Sequence, residues 1–272
     1  MSTPSGQVDI ATRIGEMLTA FKLPTVAAEL VPRFTAAGHG DILPLVAEVL
    51  ELEAGDRRER RVDRLRRASR LPPGKTFATL EEARLPRPLV QQLRDLARGE
   101  FLERAGNVLA FGLPGVGKSH AACAIGHALV EAGHAVLFTP TFQLVQELLV
   151  AKRDLELPRA LRRLDLFDLV VLDDIGYVQQ SPDEIEVLFT FLAERYERRS
   201  VLITSNLVFS EWERIFKNPM TTAAAIDRLV HHSVILEFAV PSYRSEKARS
   251  AKTDKPDSND DHHPKSQKGK TK

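Results

Sequence analysis

The sequence predicts an α/β protein in which a mostly parallel, five-stranded sheet with helices on both faces follows a small all-α N-terminal region. Residues 10–70 carry apolar side chains at helical spacing. From residue 107 onward, short apolar runs alternate with helical segments, which is typical of a parallel sheet covered on both faces. The 272 residues are 43 % hydrophobic and 28 % charged, and these globular proportions exclude a wholly disordered or collagen-like chain.

The N-terminal region is predicted to contain two helical stretches. In the first, residues 10–31, apolar residues recur at helical spacing, and two prolines limit or divide it. The second begins with Asp41 as its N-cap. The apolar stripe through which we expect it to pack consists of Ile42, Leu45, Val46 and Val49. It ends before the turn at Pro72-Pro73-Gly74, where we place the boundary of a first domain, residues 1–74.

The second helix carries a strong positive charge. Eight arginines and two acidic residues give the segment from Arg57 to Arg70 a local charge of +6. Five follow the spacing of one helix face: Arg57, Arg60, Arg61, Arg64 and Arg67. Such a face can bind nucleic-acid phosphates or be a solvated surface paired with Glu59 and Asp63, and the residues alone leave both open. The net charge of +1 does not decide between these two interpretations, because it averages an acidic centre with basic flanks.

The remaining elements form a second predicted domain, residues 75–244. Five apolar runs are predicted strands: residues 107–111, 134–139, 168–174, 200–206 and 234–238. Helices are predicted over 87–103, 118–132 and 141–153, and two more begin at the capping boxes Ser181-x-x-Glu184 and Ser210-x-x-Glu213. Residues 245–272 have almost no apolar side chain, and we expect a disordered basic tail.

The clearest chemical motif follows the first predicted strand. Residues 112–119 match the phosphate-binding pattern G-x-x-x-x-G-K-[ST] in full, with a strand before them and a helix after them. The glycines let backbone N–H groups point at phosphate oxygens. Lys118 is predicted to reach the β- and γ-phosphates, and Ser119 to coordinate Mg²⁺. The predicted ATP-binding residues here are Gly112, Leu113, Pro114, Gly115, Val116, Gly117, Lys118, Ser119 and His120.

Other strand ends and one helix carry candidate catalytic groups. Asp173 and Asp174 end the third predicted strand. In a P-loop enzyme the first carboxylate holds Mg²⁺ and the second orients or deprotonates the attacking water; the alternative is an acidic turn. Asn206 ends the fourth strand and can reach the γ-phosphate or the water, or serve only as a cap. Arg228 could stabilise transition-state charge in a neighbouring subunit, or it could be a surface group.

Composition and spacing exclude several kinds of site. The one cysteine, Cys123, cannot form an internal disulfide or a Cys-rich zinc site, and it fits a reducing compartment. His231-His232 and His262-His263 are adjacent pairs whose side chains should point to different faces, so we assign no metal site to them. The sequence has no signal-peptide pattern and no run of 18 apolar residues, so we expect a cytoplasmic protein with no membrane partner.

Together these motifs resemble a known family, the IstB-like ATP-binding proteins, which are transposition helper ATPases of IS21-type insertion sequences. The family is related to the helicase loader DnaC and the initiator DnaA within the AAA+ class. The resemblance covers about residues 8–244 and rests on the segments 112–126, 169–177, 188–212, 224–233 and 241–244. One departure is Asp174, where AAA+ proteins generally carry Glu, although relatives in this family also use Asp.

The resemblance implies an AAA+ P-loop core with the strand order 5-1-4-3-2. It implies that Asn206 is a sensor-1 residue, Arg228 an arginine finger and Arg244 a sensor-2-type arginine at the ATP site. It favours DNA contact for the arginine face.

The activity implied by the resemblance is hydrolysis of ATP with Mg²⁺. Such a protein would form an ATP-dependent homo-oligomer on duplex DNA and would recruit and stimulate a partner transposase. One alternative is a DnaC-like loader of a replicative helicase. Another is a metabolic P-loop kinase, for which the sequence offers neither a lid nor a nucleophile pocket.

Overall fold

The computed structural model describes residues 4–177 and 181–242, so Arg244 and the predicted tail lie outside the described residues. The helices are α1 (Pro4–Ala20), α2 (Pro24–Ala36), α3 (Leu43–Ala68), α4 (Arg87–Leu96), α5 (Glu100–Glu103), α6 (Lys118–Glu131), α7 (Thr141–Arg153), α8 (Leu157–Leu164), α9 (Pro182–Arg195), α10 (Glu213–Phe216) and α11 (Pro219–Val230). The strands are β1 (Asn107–Gly112), β2 (Val136–Pro140), β3 (Leu169–Asp173), β4 (Ser200–Ser205) and β5 (Ser233–Phe238). No helix among these residues combines the length and apolar character needed to cross a bilayer.

The predicted fold class is confirmed, and the five strands form one parallel sheet. Their order is β2-β3-β4-β1-β5, which is the predicted order read from the other edge. Alternate residues of each strand enter two different cores, as the period of two in a strand requires. Leu109 and Phe111 of β1 pack with α7, α9 and α11, whereas Val108 and Ala110 pack with α4 and α6. Helices therefore cover both faces of the sheet.

The longest helix, α3, contacts both the N-terminal helices and the sheet domain. Its first half packs on α1 through Leu43 and Ala47, in a small cluster separate from the two sheet cores. Its second half contributes Val62 to the core beneath α6. Just beyond its end, the Phe138 N–H of edge strand β2 donates a hydrogen bond to the Ser69 carbonyl oxygen at 2.7 Å. One helix thus links the N-terminal helices to the sheet.

The predicted packing stripe of α3 is partly wrong. Leu45 and Val49 are 60 % and 58 % exposed, and the buried side chains are instead those of Leu43 and Ala47. The predicted Asp41 cap is also absent, because α3 begins at Leu43 without a side-chain cap. The helix carries apolar residues on more than one face, and packing against α1 selects the face of Leu43 and Ala47, with Val46 half-buried beside them.

Other predicted boundaries have mixed outcomes. The capping box at the start of α9 is confirmed: Ser181 Oγ accepts from the Glu184 N–H, and Glu184 Oε2 accepts from the Ser181 N–H. The second predicted box is wrong, because α10 begins at Glu213 without a side-chain cap. The helix predicted over 87–103 is divided into α4 and α5 at Gly99, whose φ of 85° no continuous helix allows.

One buried arginine connects the end of α9 to α8, to the segment before β3 and to β4. Arg195, the last residue of α9, is 2 % exposed. Its guanidinium donates to the carbonyl oxygens of Leu164 at 2.9 Å, Phe167 at 3.0 Å and Ser200 at 2.9 Å. Burial lowers the pKa of Arg195 to about 10, and the nearby Asp165 opposes that shift. The side chain therefore stays charged at neutral pH and provides donors for carbonyl oxygens of three separate segments.

Candidate nucleotide site and arginine groove

The phosphate-binding loop runs from the carboxyl end of β1 to the first turn of α6. Gly112, Gly115 and Gly117 adopt φ values of 151°, 84° and 102°, which strongly favour glycine. At Gly112 space is also limiting, since a Cβ there would lie 2.7 Å from the Phe238 carbonyl oxygen of β5. Backbone conformation and close strand packing thus both require glycine at the start of the loop.

The side chain of Lys118 lies inside this loop. Its Nζ donates to the carbonyl oxygens of Gly112 at 2.7 Å and Leu113 at 2.9 Å, and the residue is 8 % exposed. An ammonium group held there by backbone oxygens is positioned within the cradle that the loop forms around a phosphate group. Contact of Lys118 with the β- and γ-phosphates stays a prediction of the motif.

A cavity of about 450 Å³ adjoins the loop on the side of the segment between α3 and α4. Its lining includes Lys75, Thr79, Arg84, Gly117, Ser119 and His120. His120 Nε2 lies 3.1 Å from Thr79 Oγ1 and 3.0 Å from the Thr76 carbonyl oxygen. Nothing in the local pattern of residues 74–85 indicates contact with a loop 40 residues away, so this part of the cavity wall is not predictable from the sequence.

One residue of the neighbouring strand forms hydrogen bonds with both Asp173 and Asp174. The sequence did not indicate that this residue belongs to the site. Thr204 of β4 donates its hydroxyl to Asp173 Oδ1 at 2.8 Å and accepts from the Asp174 N–H at 2.9 Å. Thr141 Oγ1 donates to the Asp173 carbonyl oxygen at 3.1 Å. Asp174 itself has a φ of 62°, so the chain turns sharply directly after β3. Two threonine hydroxyls therefore hold the end of β3 in place, and with it the backbone that carries the two carboxylates.

Asn206 lies next to these carboxylates, one residue beyond β4. The strand register places Phe111 beside Ser205 and Leu172 beside Ile203, so the phosphate loop, Asp173 and Asn206 meet at one edge of the sheet. The Asn206 Oδ1 atom is buried and has no hydrogen-bond partner among the described residues. It packs directly over Gly176, where any Cβ would overlap with it. A buried amide oxygen without a partner is rare in folded proteins and indicates a position with a special role.

Arg228 lies on α11 and forms no ion pair with a carboxylate in the part of the chain that the structure describes. Its Nη1 donates to the Ala224 carbonyl oxygen at 3.1 Å, and its guanidinium lies 5.1 Å from the centre of the Phe189 ring. The residue is half-buried. The predicted Arg244 lies outside the described residues, so no geometry is assigned to it.

The structure brings the five arginines of the predicted basic face to one open groove of about 1040 Å³ beside α3, called here the arginine groove. Its lining includes Arg57, Arg60, Arg61, Arg64 and Arg67, together with Arg58. Glu53 pairs with Arg57 at 2.5 Å and with Arg60 at 3.5 Å, and the Arg57 hydrogen bond lowers the Glu53 pKa. Arg61 donates to the Gly133 carbonyl oxygen at 3.1 Å. Asp63 pairs with Arg66 instead.

Comparison with solved structures agrees with this fold. AMPPCP-bound DnaA from Aquifex aeolicus is 13 % identical with a TM-score of 0.54, over 69 % of this chain and 57 % of that one. A crystal structure of DnaI is 18 % identical with a TM-score of 0.52, over 62 % of this chain and 95 % of that one. At such identities the likeness concerns the fold alone.

Comparison with protein sequences identifies the family. An insertion sequence ATP-binding protein of Sinorhizobium fredii is 44 % identical over 88 % of this chain and 82 % of its own length. The IS21 ATP-binding protein of Pseudomonas aeruginosa is 37 % identical over 74 % of this chain and 76 % of its own. The model of the IstB-like ATP-binding proteins matches residues 17–251. With a complete phosphate-binding loop inside that match, the chain belongs to the IstB-like ATP-binding protein family.

Proposed function

We propose that the protein is an ATP-hydrolysing helper of IS21-type transposition that assembles on duplex DNA and recruits a partner transposase. The observation that carries the proposal is the meeting of the phosphate loop, the Asp173-Asp174 pair and Asn206 at one edge of the sheet. The insertion-sequence relatives support the transposition context. The arginine groove lies on a different helix, so nucleotide and DNA have separate surfaces.

In the proposed hydrolysis, each strand end has its own task. Backbone N–H groups of the loop and the Lys118 ammonium bind the phosphates. Asp174 orients the attacking water or accepts its proton, and the Asn206 amide holds that water or a γ-phosphate oxygen. Ser119 and Asp173 offer hydroxyl and carboxylate oxygens, which are the ligands that Mg²⁺ prefers. When bound there, Mg²⁺ would neutralise charge on the β- and γ-phosphates.

Arg228 completes the proposed site from a neighbouring subunit. Its half-buried position on α11, without a carboxylate partner among the described ion pairs, leaves the charge available to another chain. Mixing Arg228→Ala subunits with Lys118→Ala subunits should restore part of the hydrolysis that each variant lacks alone. If the mixture stays as inactive as its components, the composite site is wrong. Lys118→Ala should also abolish ATP-driven assembly.

The arginine groove is the proposed contact with the DNA backbone. Each neutralised phosphate contributes about −0.9 to the slope of log K against log salt, so five contacts predict a slope near −4.5. The double variant Arg61→Ala/Arg64→Ala should make this slope shallower by about 2. Arg33→Ala removes an arginine that is 77 % exposed on α2, outside the groove, and serves as the matched control. A wild-type slope near zero would contradict phosphate contact.

The identity of the partner protein distinguishes a transposition helper from a helicase loader. A transposition helper should bind and stimulate the transposase encoded in the same element, whereas a DnaC-like loader should bind the replicative helicase. Binding assays of the ATP-bound oligomer against both proteins distinguish these outcomes. Selective binding to the helicase would favour the loader.

A further inference from the structure

A second group of ligating side chains lies at the opposite edge of the sheet from the phosphate loop. Glu197 follows α9, and His231 and His232 connect α11 to β5. The His232 carbonyl oxygen accepts from the N–H of Asn107, the first residue of β1, at 2.9 Å. The phosphate loop begins at the other end of that strand, about 17 Å away at the usual rise per residue. The nucleotide site does not use these three residues.

The three side chains converge on one point. Each offers one ligand atom, and these atoms all lie within 4.8 Å of one another. His231 Nδ1 is 3.8 Å from Glu197 Oε1, and the two imidazole centres are 4.2 Å apart. The expectation that adjacent histidines point to different faces is wrong here, because both lie in a turn. In regular secondary structure their side chains would diverge.

The distances are close to those of a metal complex. Zinc bonds of about 2.0–2.2 Å in a tetrahedron place ligand atoms about 3.3 Å apart. Each ligand atom therefore has to move by about 1 Å or less, which a half-exposed side chain can do by rotation. The side chains of His231 and Glu197 are 53 % and 55 % exposed, so an ion can enter from solvent without opening the fold.

We propose that Glu197, His231 and His232 form a surface site for a divalent transition-metal ion of the Zn²⁺ class, with water completing the coordination. Two imidazole nitrogens and one carboxylate oxygen suit zinc and its neighbours better than Mg²⁺ or Ca²⁺. The Tyr196 hydroxyl lies 3.0 Å from the same His231 Nδ1, so an ion bound through that nitrogen replaces this hydrogen bond. An ion there joins the ends of α9 and α11 one helical turn after Arg228.

Zinc titration of the full chain tests the site. The titration is followed by calorimetry in saturating Mg²⁺ and ADP, so that the phosphate loop does not compete for the ion. We expect one ion per chain, bound at least tenfold more weakly by Glu197→Gln, His231→Ala and His232→Ala. Zn²⁺ should also raise the melting temperature of the wild type but not of these variants.

The second histidine pair provides the matched control. His262→Ala/His263→Ala removes two adjacent histidines elsewhere in the chain and should leave the affinity unchanged. Loss of binding in this control, or unchanged binding in the other three variants, overturns the proposal. Glu197→Gln keeps the size of an exposed side chain, so it tests the site even if a histidine variant does not fold.

Discussion

Gly176→Ala is expected to slow ATP hydrolysis about tenfold while leaving nucleotide binding intact. The Cβ of an alanine at this position would lie inside 3.0 Å of Asn206 Oδ1, closer than real Cβ contacts come. The end of the Asn206 side chain must therefore move by roughly 0.5 Å or more, and a displacement of about 1 Å in a catalytic site can cost about 100-fold in rate. We expect kcat for ATP hydrolysis to fall about tenfold. The dissociation constant should stay within about twofold, because the phosphate loop is untouched.

Phosphate release at saturating ATP measures the rate, and a fluorescent ATP analogue measures binding. Gly15→Ala is the control, since a Cβ on Gly15 meets no atom within 4 Å. If the alanine acts through the Asn206 amide, it should have little further effect in an Asn206→Ala background. An unchanged kcat in Gly176→Ala, or full additivity with Asn206→Ala, would refute this reasoning.

Three more predictions concern buried polar groups. Thr204→Val removes the hydroxyl that donates to Asp173 at 2.8 Å. It should lower kcat by about 10- to 100-fold, the equivalent of about 1.5–3 kcal/mol, and an unchanged kcat would contradict this prediction. Arg195→Met removes the guanidinium donors to the buried carbonyl oxygens of Phe167 and Ser200 and should cost about 3–5 kcal/mol, or roughly 6–20 °C in Tm by calorimetry, while the exposed Arg198→Met stays within about 2 °C. Burial raises the pKa of Cys123 to about 12, so at pH 8 it should react with Ellman's reagent only as the protein unfolds in urea; fast labelling of folded protein contradicts this.

The parts of the fold that the sequence predicted well are those that local chemistry determines. Strands β1 to β4 are short apolar runs buried on both faces, and the phosphate loop needs glycines at fixed spacing. The capping box of Ser181 and Glu184 involves residues three positions apart, so the sequence contains the whole interaction.

The parts that escaped prediction depend on contacts between distant residues. Thr204 reads as an ordinary residue of a buried strand, and its link to Asp173 exists only because β3 and β4 are neighbours. The cavity wall around Thr79 contacts His120 across 41 positions of sequence. On α3, helical periodicity predicted a buried apolar stripe that includes Leu45. Which face is buried depends on packing against α1, and the periodicity does not contain that information.

The continuity of α3 has a mechanical consequence. A helix of 26 residues is about 39 Å long at the usual rise of 1.5 Å per residue, and its inner end is attached to the sheet domain by the Ser69 hydrogen bond and the ion pair between Arg66 and Glu131. If it turns as a rigid rod, a rotation of about 5° at that end moves the outer end by roughly 3 Å. The five arginines lie along the inner half of the rod, so a small rearrangement of the sheet domain would change their angle to a bound duplex, while the N-terminal helices travel furthest.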